Sequence, residues 1–364
     1  LYKTYKEWLG KIYSDKKSDA TYFVSQLGYE ALPNEMIDKT VIEEAQNGGS
    51  SHSSFQREYC AQFTDGSDSY FSAKKMHLCT IPDGETPTTQ IKGPRGSKYI
   101  LGIDPSFSNS PSSDYFAMSL LELDEEAKQG TLVHSYAVAG GDLKNHIDYL
   151  YYIVSNFNIE MICIDNAGYQ FIDSCNESVQ FIENKMKLKF IEFDSDAEGD
   201  KYSQELGKAK RAFNKEEGAI CFKQNFTSNW LRKANEHLQA CIDHKRLWFA
   251  SRCTAHGSEF SKQSAYSIDI KPTRADSTGD LIETQDILIH STKKQCALVE
   301  VKSTARGTQT FDLPQHLKRS TSSTRARKDN YTTLMLANWA IKCYFDIKSE
   351  KNEQPETFLP VMFD

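Results

Sequence analysis

Runs of apolar residues broken by turn-formers divide the middle of the chain into short, regular units. KYILGIDPS, starting at Lys98, is a compact apolar run that stops at Asp104, Pro105 and Ser106. It reads as a buried strand followed by a turn. SSDYFAMSLLELD reads as a second strand with Asp114 at its mouth, and GTLVHSYAVAG as a third. Their short connections predict a hairpin meander. LKNHIDYLYYIVSNF changes period, with Ile147, Leu150, Tyr151 and Val154 at helical spacing. IEMICIDNAG returns to strand character: Met161, Ile162, Cys163 and Ile164 are contiguous, and Asp165 ends the run. QFIDSCNESVQFIENK is expected to be helical and LKFIEFDSD to be a further strand.

Three antiparallel strands, a helix, then strand, helix and strand is the order of an α/β, ribonuclease-H-like mixed sheet flanked by helices. Residues 1–95 read as a turn-rich lead-in. ALPNEMIDKTVIEEAQ is expected to form a turn and short helix, and SSFQREYCAQF another helix, capped by Ser53 or Ser54. DGETPTTQIKGPRGSK has the Gly, Pro and Thr content of a surface loop. Residues 96–345 are expected to form the main domain, and 346–364 a polar tail. Within the domain, residues 201–220 read as a basic helix and NWLRKANEHLQAC as a second helix. Residues 253–328 are expected to be an inserted region, with strand-like SAYSIDIK and FDLPQHL and a helix over residues 280–302. KDNYTTLMLANWAIKCYFD closes the domain as a helix whose apolar face is Leu334, Leu336, Ala337, Ala340 and Ile341.

Composition narrows the function classes. With 39% hydrophobic and 26% charged residues in 364, the chain has ordinary globular content. No run approaches the roughly 18–20 apolar residues of a membrane span. No GxxxxGK[ST] phosphate loop occurs. The nine cysteines are scattered, and the Cys253/His256 pair lacks two further ligands at zinc spacing. The net charge of −7 argues against a general nucleic-acid binder. It is compatible with a basic groove beside an acidic metal site, where the charges cancel in the sum.

Three acids have matching placement: Asp104 and Asp165 end apolar strands, and Asp329 begins a helix. Strand ends of α/β sheets are where ligands bind, and carboxylates suit hard divalent cations. Two such ions about 3.5–4 Å apart can activate water and stabilise a leaving oxygen. Taken singly, an Asp after a strand is commonly a turn residue or helix cap, and Asp329 suits an N-cap. Asp114 is a fourth candidate, brought near Asp104 by hairpin pairing. Asp276, Asp280 and Asp286 rival Asp329 as third ligand, Asp280 first among them because it too precedes a helix. Two basic clusters are candidate DNA contacts. One is Lys201, Lys208, Lys210 and Arg211; the other is Lys318, Arg319, Arg325, Arg327 and Lys328, which abuts Asp329.

Four segments together resemble the nuclease portion of the large terminase subunit of tailed double-stranded DNA bacteriophages. SSFQREYCAQF is similar to that family's F-x-R-E-Y segment, YILGIDPSFSNSPSSDYFAMSL to its first acidic hairpin, ICIDNAGYQ to its second acidic strand, and KDNYTTLMLANWA to its closing acidic helix. Here Lys328-Asp329-Asn330 stands where the family often has paired aspartates. The resemblance implies an endonuclease that cuts concatemeric double-stranded DNA during viral genome packaging. It implies two Mg²⁺ or Mn²⁺ ions held by Asp104, Asp165 and Asp329, with Asp114 assisting. It implies a portal protein, a small terminase subunit and an ATPase domain of the same full-length protein as partners. It also implies the cytoplasm of the infected bacterial host as location. The chain begins at Leu1 rather than Met and is expected to be a C-terminal portion of that longer protein. Another ribonuclease-H-like nuclease, such as a junction resolvase, and a non-catalytic docking module are the alternatives.

Overall fold

The computed structural model describes residues 70–107, 114–139, 142–251, 278–303, 309–313 and 327–349, with residues 8 and 25 and the stretches 27–33, 36–44 and 59–61. Two short helices, α1 (Lys39–Glu44) and α2 (Ala73–Leu78), precede a seven-stranded mixed sheet. Strands β1 (Tyr99–Asp104), β2 (Tyr115–Asp124) and β3 (Gln129–Ala139) form the expected antiparallel meander. Helix α3 (Leu143–Asn156) then carries the chain to β4 (Ile159–Asp165), which lies parallel to β1. Helices α4 (Tyr169–Glu177) and α5 (Val179–Glu183) lead to the two-residue β5 (Lys189–Phe190). Next come α6 (Gly199–Ala212), β6 (Ala219–Gln224), α7 (Ser228–Asp243) and β7 (Leu247–Phe249). The strand order is β5-β6-β4-β1-β2-β3-β7, the ribonuclease-H-like arrangement expected. Beyond it lie α8 (Thr278–Leu298), the hairpin β8 (Glu300–Ser303) and β9 (Gln309–Asp312), and α9 (Asp329–Lys348).

The central strands are covered on both faces, so they read as continuous apolar runs rather than alternating ones. On one face Phe116 of β2 stacks on His146 of α3, with ring centroids 4.1 Å apart, and meets Phe171 of α4 at 4.8 Å. The opposite face belongs to α9. A Cβ on Gly102 of β1 would collide with the Thr333 carbonyl oxygen and the Ala337 amide nitrogen of α9. Only glycine lets the helix backbone lie directly on the strand. Beside it Ser119 of β2 shares a 2.7 Å hydrogen bond with Thr333.

Several elements differ from expectation. Helix α9 is buried nearly all round, not along one stripe, because α7 and α8 pack over the side turned away from the sheet. A helix with no polar face is a buried helix. The basic helix ends at Ala212, and β6 and β7 are strands that the apolar pattern did not mark. The helix expected to run to residue 302 stops at Leu298, and VEVK belongs to β8. FDLPQHL supplies only the end of β9. SAYSIDIK, the Cys253/His256 pair, most of SSFQREYCAQF and the tail from residue 350 lie outside the described residues. The core also begins earlier than residue 96. Phe71, Met76 and Cys79 are buried in it, and the Ile81 amide donates to the Phe249 carbonyl of β7 at 2.9 Å.

Candidate active site

Parallel pairing of β1 with β4 sets Ile103 opposite Ile164, so Asp104 and Asp165 leave neighbouring strand ends side by side. Adjacent strands lie about 4.8 Å apart. Side chains alternate along a strand, so Asp104 shares the face of Gly102, over which α9 lies. Turn-to-turn packing fixes the pair further, since a Cβ on Gly168 would strike the Pro105 ring. The loops after the two acids are therefore in contact.

Asp329 reaches the same place from the other end of the chain. It is the first residue of α9, not its cap; Lys328 holds the cap position. The Asp329 carboxylate accepts a 2.8 Å hydrogen bond from the Tyr115 backbone N–H of β2. Asp114, one residue earlier, is exposed at the mouth of a cavity of about 310 Å³. Asp104, Asp114, Asp329, Lys328, Phe226 and Leu231 are among the residues that line this cavity.

The electrostatics are those of crowded, poorly solvated acids. Desolvation raises the Asp104 carboxyl well above the ordinary range, and Asp329, Asp165 and Asp114 push it further; Lys328 opposes them. Burial raises Asp329 to about 6, although the Tyr115 N–H pulls the other way. Burial also raises Asp165, and the Ala167 and Asn166 backbone amides oppose this without closing a side-chain capping bond. The first amides of the following turn thus act on the Asp165 carboxylate, whereas Asp329, as the first residue of α9, is not its cap. Like-charged acids held together in low dielectric favour either a proton or a cation. All-oxygen donors of this charge fit a hard divalent ion. Among the described residues no three His, Cys, Asp or Glu side chains already close on one point at metal-binding distance. The fit is therefore one of charge and donor type. Only one carboxylate comes from α9, because Asn330 is buried and turns its amide toward Thr292 of α8.

Of the rival acids, two fall among the described residues. Asp280 lies within α8, not before it, and Asp286 does not line the acid cavity; Asp276 lies outside the described residues. The basic clusters divide as well. Lys201, paired with Asp194 at 2.7 Å, lines a second cavity of about 480 Å³ that includes Asn166, next to Asp165. Lys208 pairs with Glu205 at 2.6 Å. Lys210 donates to the Ser349 carbonyl at 2.8 Å, and Arg211 follows it. Ser349 ends α9, roughly 30 Å along the helix from Asp329 at 1.5 Å per residue. Arg327 is nearly buried, with its guanidinium 4.2 Å from the Tyr115 ring centroid. Contrary to expectation, it braces the residue whose N–H holds Asp329 instead of facing solvent. Lys328 pairs with Asp312 of β9 at 3.2 Å. Lys318, Arg319 and Arg325 lie outside the described residues.

Two residues with a bearing on the site carried no sequence signal. Gln295 of α8 accepts hydrogen bonds from the Asn330 and Tyr331 backbone N–H groups at 3.0 and 3.2 Å. It satisfies the open first turn of α9 from outside the helix, a task normally left to a cap. Lys223 sits on β6 opposite Ile164, one residue before Asp165; recognising β6 as a strand would have found it.

No protein-family model matches the sequence, and none of the curated proteins does. Solved structures do resemble it. The large terminase nuclease from thermophilic phage G20c is 12% identical, covering 73% of this chain and 95% of its own, with a TM-score of 0.38. The same nuclease with bound magnesium is 12% identical, covering 75% and 97%, at 0.39. The HK97 bacteriophage large terminase is 11% identical and covers 85% of this chain but 52% of its own, at 0.39. These neighbours are large terminases or their nuclease domains, and the likeness is distant.

Proposed function

We propose that this chain is the nuclease portion of a phage large terminase, a metal-dependent endonuclease that cuts double-stranded DNA as the viral genome is packaged. The observation that carries the proposal is the grouping of Asp104 and Asp165 at neighbouring strand ends with Asp329 at the start of α9, exposed Asp114 alongside, so that all three neighbours act on the buried Asp104 carboxyl. A folding domain gains nothing by gathering four acids unless something cationic joins them. Two divalent ions, Mg²⁺ or Mn²⁺, would supply Lewis acidity toward the scissile phosphate and its attacking water. Asp104, Asp165 and Asp329 would hold the ions, with Asp114 assisting. Lys328 offsets acid charge on the side of approach. The portal protein, small terminase subunit, an ATPase domain of the same protein and the cytoplasm of an infected bacterium follow from this reading as the setting.

The test is supercoiled plasmid with Mn²⁺, Mg²⁺ or EDTA, using the chain and its Asp104→Ala, Asp165→Ala and Asp329→Ala variants. Cutting that needs metal and disappears in all three supports the assignment. Cutting that survives EDTA, or survives Asp104→Ala, refutes it.

A further inference from the structure

One wall of the acid cavity has no use in holding a metal or a phosphate. Phe226 lies flat on the fully buried Trp230, with ring centroids 5.0 Å apart and planes 8° from parallel. The residue is 36% exposed. Leu231, Tyr331, Met335 and Phe311 of β9 add apolar and aromatic lining to the cavity that holds Asp104, Asp114 and Asp329. The ordinary explanation covers part of this. Phe226 immediately precedes Thr227, the N-cap of α7 whose side chain accepts from the Trp230 N–H. An apolar residue there commonly staples to the fourth helical residue, here Leu231. A staple needs bulk, however. It does not need an aromatic ring backed flat on a tryptophan and open beside a group of acids.

Resting on the nuclease reading, we infer that Phe226 is the stacking seat for one unpaired base of the DNA strand whose phosphodiester lies at the acids. The part of a nucleotide that matches a rigid, exposed aromatic face is the base, and every base has such a face. A paired base in an intact duplex keeps its faces covered by its neighbours. The seat therefore selects DNA that is locally opened at the cut, and opening is least costly at a mismatch or existing bubble. At about 310 Å³ the cavity is at the lower end of the roughly 300–1,000 Å³ of small-molecule sites, a size for one nucleotide's base and not for a duplex. Phe226 is thus a specificity-determining residue, and the substrate class is duplex with a locally unpaired nucleotide.

The experiment uses the full chain carrying Asp104→Asn, to prevent cutting, alone and combined with Phe226→Leu or Phe226→Tyr. The DNA is a duplex with a short bubble containing 2-aminopurine, whose fluorescence falls when it stacks. Leucine keeps the staple and loses the ring; tyrosine keeps both. The expected result is quenching on binding with Phe226 and with tyrosine, lost with leucine, together with binding of bubble DNA on the order of ten- to a hundredfold weaker with leucine. Equal quenching with leucine, or none with Phe226 present, overturns the inference and leaves Phe226 a helix staple. Cutting by the chain with Asp104 intact is followed in parallel. Quenching without any cutting rejects the nuclease reading while supporting the base seat. Cutting without quenching rejects the seat alone.

Discussion

Asp104 and Asp329 are held where an isolated carboxylate is disfavoured, and this has a measurable sign. Asp329 has a folded value of about 6 against an ordinary 3.8. Its protonated form is favoured in the folded protein, so the associated stability is complete below about pH 4 and is lost as pH rises through about 6. Asp104 shifts in the same direction. The metal-free chain is therefore expected to lose stability across that window, on the order of 3 kcal/mol from Asp329 alone. Mg²⁺ or Mn²⁺ should restore it at pH 7–8. Asp104→Asn should raise the metal-free melting temperature at pH 8 and abolish the gain on adding metal. Thermal melts from pH 4 to 8, with and without the ion, check both; a melting temperature in EDTA that rises with pH over this window would contradict the charge crowding. Asp286→Asn, away from the cavity, should cut plasmid at the unsubstituted rate.

At the level of elements, the site depends on how α9 meets β1 and α8. Gly102→Ala places a methyl against the α9 backbone, which cannot rotate aside as a side chain could. Overpacking typically costs about 1–3 kcal/mol, and the upper end is expected here, with cutting lost even below the melting point because Asp329 moves away from Asp104. Gln295→Ala leaves two N–H groups of α9 without their acceptor, at about 1–3 kcal/mol. Its cutting rate should fall while Gln295→Glu, which keeps an acceptor, retains most of the stability; denaturant titrations and plasmid assays separate these outcomes. The same elements explain what could be read beforehand. Asp104 and Asp165 stood out because uninterrupted apolar runs stop at them, and β1 and β4 are covered on both faces. The helical period placed α9 but not its surroundings, since a single helix pattern does not reveal that α7 and α8 close over it. β6 was hidden because AICFKQ follows a charged helix with only a short turn, where Gly218 takes a φ of 75° against the Lys187 carbonyl. Gln295 was invisible for a different reason: its role is a hydrogen bond across 35 positions, and nothing local announces it.

Over the whole molecule the acidic balance limits how DNA can be held. The described lysines of the first cluster are largely engaged within the protein, Lys201 with Asp194 and Lys208 with Glu205. On the nuclease reading, each phosphate contact contributes roughly 0.9 to the slope of log affinity against log salt on duplex DNA. Lys223→Ala, close to Asp165, should lower that slope by about one contact, while the joint replacement of Lys208, Lys210 and Arg211 by alanine should leave it unchanged. Filter binding across a salt series reads both slopes directly.

The glycine that seats α9 against β1 also imposes an order in time. Asp104 and Asp165 leave the ribosome before Asp329, which follows the first of them by 225 positions. Until α9 docks, β1 at Gly102 lacks its cover and Asp104 lacks the Asp329 carboxylate beside it. On the nuclease reading, a nascent chain would therefore carry Asp104 and Asp165 without the complete group of acids. On that reading, the competence to break DNA would wait for α9 to settle into the channel that Gly102 keeps open.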